Sequence, residues 1–173
     1  MLLALTNAAR CDNVHKLTVH ELKKTSSEFI LQFSSLIKQS RPGFECSFLR
    51  VKAYPPDRRL CCYFVLKEYL ARTKIIRAQE KALLISYIKP HKAVSRDTVS
   101  RWIKTVMHRA GIDINMFSAH SVRSAVTSKA KEKAVPIQDI MKTAGWSQES
   151  TFSKFYRKTI IRDDRFQEKI LHI

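Results

Sequence analysis

The chain reads as a mainly α-helical domain with a small antiparallel β-sheet near its N-terminal third, an α+β fold. Three observations predict it. KLTVHEL and EFILQFSSLIK alternate in polarity or carry β-formers, as half-buried strands do. From Leu60 onward apolar residues recur mostly at helical spacing, punctuated by caps and glycine stops. At 173 residues, 45% of them hydrophobic, the chain can bury one real core but not two ordinary ones.

Taken in order, MLLALTNAARCD predicts one short apolar helix. The two strands follow, and SRPGFECSFLRVKAYPPDRR, punctuated by Pro42-Gly43 and Pro55-Pro56, reads as turns. LCCYFVLKEYLARTK predicts an apolar helix with a basic end, LLISY a short buried strand, and KPHKAVS a loop. Ser95 is placed to cap RDTVSRWIKTVMHRAG, with Gly111 as its stop. Val99, Trp102, Ile103 and Val106 are expected on that helix's core face. Ser118 should cap the next helix, which carries His120 and Arg123. Pro136 suits the first turn of PIQDIMKTAG, Gly145 its end, and Ser147 the opening of a short helix containing Tyr156. The domain is bounded at 1–158, and 159–173 is expected to be a loosely attached helical tail.

Charge narrows the partner. There are 32 Lys plus Arg against 15 Asp plus Glu, a net +17 spread through the whole chain. A folded domain so basic is suited to a polyanion, and the spread favours a broad face on double-stranded DNA over a short targeting tag. An RNA-binding domain is the weaker variant, since no RRM-like or KH-like signature is present. No segment approaches the roughly 20 apolar residues of a membrane span. Cys11, Cys46, Cys61 and Cys62 form no CxxC pair or zinc spacing. Cys61 and Cys62 are expected as buried free thiols, which implies a reducing compartment.

The chemistry concentrates in SAHSVRSAVTSKAKEKAVPIQDIMKTAGWSQESTFSKFYRK. His120 and Arg123 share a helix face close to a helix start, where backbone N–H groups favour an anion. An arginine binds phosphate oxygens through a planar fork and keeps its charge. Trp146, after Gly145, offers an indole N–H donor, and Tyr156 lies beside Arg157 and Lys158, which favour its ionised form. Singly these motifs are weak: each residue type is common in cores or on solvated faces. The set holds what is needed to grip a phosphodiester and attack it, and no Asp/Glu cluster accompanies it for metals.

HSVR, AGW and KFY, in that order, resemble the catalytic domain of the tyrosine recombinases, the phage-type integrases. The wording SVRSAVTSKA, GWS and STFSKFY is most similar to eukaryotic mobile-element recombinases of the DIRS-like or Crypton type. The resemblance implies further site residues. AARCDNVHKL would supply Arg10 to the phosphate, with Asp12 orienting an arginine or the helix. A hairpin lysine would be the general acid: Lys38, ending the EFILQFSSLIK region, or else Lys52 in LRVKAY.

It also implies a mechanism. Arg10, His120, Arg123 and Trp146 would hold the scissile phosphate, Tyr156 would form a 3′-phosphotyrosyl link, and Lys38 would protonate the leaving 5′ oxygen. Neither cofactor nor metal is expected, and four copies should assemble on two duplexes. The location would be the nucleus in a eukaryote, otherwise the cytoplasm. Such catalytic domains usually carry one or two helices before the first arginine and an N-terminal DNA clamp, so truncation there is expected. The alternative function is a degenerate or domesticated fragment that binds DNA without recombining it. A type IB topoisomerase relative fits less well, because that family generally lacks a His opening the HxxR-type pair.

Overall fold

The computed structural model describes residues 1–38, 40 and 48–155. Among the described residues, seven helices accompany one three-stranded antiparallel sheet of order β1-β2-β3, so the expected fold class holds. The elements are α1 (Leu2–Thr6), α2 (Cys11–His15), β1 (Leu17–Lys24), β2 (Glu28–Phe33), β3 (Phe48–Lys52), α3 (Cys62–Arg77), α4 (Arg96–Arg109), α5 (Ser121–Glu132), α6 (Ile137–Ala144) and α7 (Glu149–Phe155).

The strands obey the period of two. Phe29 and Leu31 of β2, and Leu49 and Val51 of β3, point into the core, and their neighbours are less buried. Leu17, Leu66, Leu83, Val99 and Ile103 close over that face. Phe29 stacks on Tyr63 of α3 at 4.7 Å between ring centres, and the Tyr63 hydroxyl donates to the Thr25 carbonyl at 2.9 Å. The buried polar tip is thereby satisfied while the ring adds to the core.

Several expectations need correction. The first apolar segment is two helices, not one. A turn separates them, Ala8 adopts a positive φ of 46°, and Arg10 becomes the residue that precedes α2. Strand β3 occupies part of the stretch read as turns: FLRVK alternates, but the neighbouring prolines and glycine outweighed five residues of pattern. LLISY forms no strand. Thr18 pairs with Ala82 and Ile85 with Ala93 only as isolated bridges. The physical reason is Arg77, whose guanidinium takes the carbonyls of Ala82 and Leu83 that a ladder would use.

The helix punctuation is mostly as expected. Ser95 caps α4, its Oγ accepting from the Thr98 N–H at 3.2 Å. Gly145 ends α6 in the left-handed conformation (φ 65°), where a side chain would be strained. Pro136 stands one residue earlier than expected, before the first turn of α6. His120, not Ser118, immediately precedes α5, because the Ser121 hydroxyl takes the Ser118 N–H at 3.2 Å. Helix α7 begins at Glu149, two residues after Ser147. Val99 and Ile103 are buried and Trp102 is partly so, but Val106 is 43% exposed. It faces an open apolar groove shared with Met1, Leu5, Phe117 and Ala125, which no described residue fills.

Cys61 and Cys62 are buried free thiols, as expected; Cys46 lies outside the described residues. Burial pushes the Cys62 thiol up to about 11. No described helix is long and apolar enough to cross a membrane. The tail 159–173 also lies outside the described residues.

Candidate active site

Arg123 organises the site. It sits on the first turn of α5 and is only 2% exposed, among the most deeply buried large side chains described. One Nη donates to the Ala8 carbonyl and the other to the Ala144 carbonyl. Ala8 belongs to the strained α1–α2 turn, and Ala144 is the last residue of α6, whose terminal carbonyls lack partners within the helix. A cation at a helix C-terminus is also favoured by the helix dipole. Arg123 therefore ties together the segment leading to Arg10 and the segment leading to Trp146.

Trp146 lies beneath this guanidinium, with the Arg123 Cζ 4.6 Å from the ring centre. It is 7% exposed and packs on Phe152 of α7 at 5.7 Å. Ala8, Ile140 and Ala144 complete this second apolar cluster. The Trp146 Nε1 is buried, so the ring here supports Arg123 from below rather than offering its N–H at the surface. The cluster also holds Phe152 of α7, whose described residues run to Phe155. Tyr156 itself lies outside the described residues.

His120 is exposed as a residue, yet its ring is crowded. Partial burial, then the charges of Arg123, Arg10 and Lys38, hold its imidazole below the ordinary histidine value. Four residues expected at one site are thus within electrostatic reach of one another, although they come from the start of α2, the β2–β3 connection and the start of α5. Lys38 does not end a strand, because β2 stops at Phe33; it stands five residues further on, exposed, in the connection. Lys52 ends β3 and lines a cavity of about 650 Å³ together with Arg123, Arg50 and Lys142. Both lysines are therefore near the site, by different routes.

Asp12 stands in the first turn of α2. Its carboxylate pairs with Lys16 one turn along α2, at 3.0 Å, and is 38% exposed. Sequence reading missed Asn13, which is buried at 7% and lines the same cavity as Arg123. Its neighbour in the chain is acidic and charged, which drew attention away from a neutral amide.

The depressed His120 value has a testable consequence. A base whose folded-state value lies below its unfolded one binds protons more readily when unfolded. Its contribution to stability is therefore complete above about pH 6.5 and is lost as pH falls through the folded-state value. An NMR titration of His120 should show a midpoint below about 6.5; a midpoint at or above it would contradict the crowding by Arg123, Arg10 and Lys38.

Comparison with known proteins agrees with this geometry. XerA recombinase shares the fold with a TM-score of 0.66 at 18% identity, over 99% of this chain and 54% of that one. XerH site-specific recombinase bound to difH substrate, in a pre-cleavage complex, gives 0.65 at 13% identity, over 98% of this chain and 44% of that one. XerH in a post-cleavage complex with palindromic difH gives 0.63 at 14%, with the same coverage. At such identities the likeness is one of fold, and the chain spans about half the length of these structures. A comparison with curated proteins finds no significant match. The profile described as the phage integrase family matches residues 1–160, nearly the whole sequence and every candidate site residue, and the chain belongs to that family, the tyrosine recombinases.

Proposed function

We propose that this chain cleaves and rejoins DNA strands through a 3′-phosphotyrosyl intermediate, in the recombination or integration of a mobile element. The observation that carries the reading is the convergence of Arg10, Lys38 and Arg123 on His120 from separate parts of the fold. Converging cations with no nearby metal-ligand cluster among the described residues suit a phosphodiester held by side chains.

The step balances as follows. The Tyr156 oxygen attacks phosphorus and its proton passes to His120, whose pKa is held below the ordinary histidine value. The bond from phosphorus to the 5′ oxygen breaks, and Lys38, or Lys52 in its place, gives that oxygen a proton. Attack by a 5′ hydroxyl of a partner strand reverses the sequence. Arg10 and Arg123 stabilise the extra charge on the phosphate oxygens as it develops. Trp146 holds Arg123 in place. Exchange between two duplexes needs four such sites, so a tetramer on DNA belongs to the proposal. The wording around HSVR and KFY supports a eukaryotic mobile element of the DIRS-like or Crypton type, and with it the nucleus.

The test is incubation with a duplex nicked near its cleavage point, so that the cleaved piece diffuses away and traps the intermediate. A covalent protein–DNA band on a denaturing gel, undiminished by a chelator, is expected. Duplex binding without any adduct would instead favour a domesticated DNA-binding fragment. An adduct that requires metal would contradict the arginine-based site.

A further inference from the structure

The outward face of β3 carries an aromatic ring and two cations in a row. The strand alternates exposed and buried residues, so Leu49 and Val51 enter the core while Phe48, Arg50 and Lys52 face out. Phe48 keeps 42% of its surface exposed. The Arg50 guanidinium lies beside its ring, with Cζ 5.3 Å from the ring centre, and pairs with Glu28 at 3.0 Å.

A lone exposed phenylalanine would need no explanation. This one borders the site: Phe48, Phe33, Arg50 and Lys52 line the same cavity of about 650 Å³ as Arg123. A phosphate seated beside Arg123 fills only a small part of that volume. The remainder is bounded by two aromatic rings, a guanidinium and an ammonium. Aromatic rings stack on bases and cations meet the phosphates between them, which is how proteins hold unpaired nucleotides whatever their sequence. A base inside an intact duplex is stacked on its neighbours and cannot reach such a platform.

Strand exchange creates a ligand that this space fits. Cleavage releases a strand ending in a 5′ hydroxyl, and rejoining needs such an end beside the phosphotyrosyl link. The end is unpaired while it crosses between duplexes. Holding it in place converts a chance encounter into a positioned attack. We propose that the cavity beside β3 binds the terminal nucleotide of a single strand ending in a 5′ hydroxyl, its base laid on Phe48 and its 3′ phosphate met by Arg50 and Lys52. This deepens the strand-cleavage reading and rests on it for the origin of the free end. Binding of the nucleotide does not itself depend on cleavage. In rejoining, the 5′ oxygen bonds to phosphorus and gives up its proton, while the Tyr156 oxygen leaves and takes one.

The test uses the full chain and a short single strand with a 5′ hydroxyl and 5-iodouracil as its first base. Irradiation should cross-link that base to Phe48, located by mass spectrometry, and the same label at the fifth position should not react there. Phe48→Ala should weaken binding of the single strand roughly fivefold to a hundredfold, as loss of a stacking ring does. Phe48→Tyr should restore it to within about threefold, since the platform returns. Affinity for an intact duplex should fall by less than about twofold in either variant, because backbone contacts carry it. With the trapped adduct, half-maximal rejoining by Phe48→Ala should need more of the entering strand by the same factor as its loss of affinity. If the wild type gives no adduct but the first base still cross-links to Phe48, the cleavage reading falls and the nucleotide site stands. A normal adduct with single-strand affinity unchanged in Phe48→Ala would leave cleavage standing and overturn the site. Equal losses of duplex and single-strand affinity, or equal cross-linking from the fifth position, would overturn it as well.

Discussion

Replacing Arg123 by alanine is expected to abolish adduct formation and to destabilise the fold by about 3 kcal/mol or more. For a domain of this size that is a fall of roughly 6–12 °C in Tm. Two losses combine. The carbonyls of Ala8 and Ala144 lose their buried donor, and the space above the Trp146 ring is left empty. The strained turn at Ala8 then has less to hold it, and with it the approach to Arg10. Arg123→Lys separates the two roles. An ammonium keeps the charge but cannot span two carbonyls with a planar fork, so it should recover part of the stability and little of the cleavage. Duplex affinity of either variant, measured well below its Tm, should stay within a few-fold of wild type, since one phosphate contact among many is lost. An alanine variant with an unchanged Tm would show that Arg123 does not hold the site together.

That double role was only half readable beforehand. The spacing of His120 and Arg123 places them on one face, and a helix does follow Ser118, starting at Ser121 with His120 just before it. The burial of Arg123 was not readable, because it depends on two carbonyls from the ends of other helices, which are distant in sequence. Arg10 could be picked out only through family resemblance; no local pattern distinguishes it among 32 basic residues. Its position before α2 follows from a break at Ala8 that an apolar run concealed. Strand β3 was hidden by its turn-rich flanks, and the LLISY strand was lost to the side chain of Arg77, a competitor for carbonyls that strand propensity does not register. Asn13 gave no signal at all: a buried acceptor lacking a donor is a property of three-dimensional surroundings, not of residue type.

Tyr156→Phe is expected to eliminate the adduct altogether, a loss of roughly 10⁴-fold or more, as removal of an enzyme's nucleophile generally produces. The substitution deletes one oxygen and keeps the ring, so Tm should move by less than about 2 °C. Duplex affinity should be nearly unchanged, because the arginines and lysines that meet the backbone are untouched. The combination matters more than the loss itself. Arg123→Ala should lower both adduct and Tm, and Tyr156→Phe the adduct completely with no change in stability. An adduct that survives in Tyr156→Phe would move the nucleophile to another residue while leaving the arginine site intact. Water could not replace the tyrosine usefully, since hydrolysis would release the energy of the phosphodiester and leave nothing for a partner strand to attack. A covalent phosphotyrosyl link, in contrast, would keep the bond energy available for rejoining.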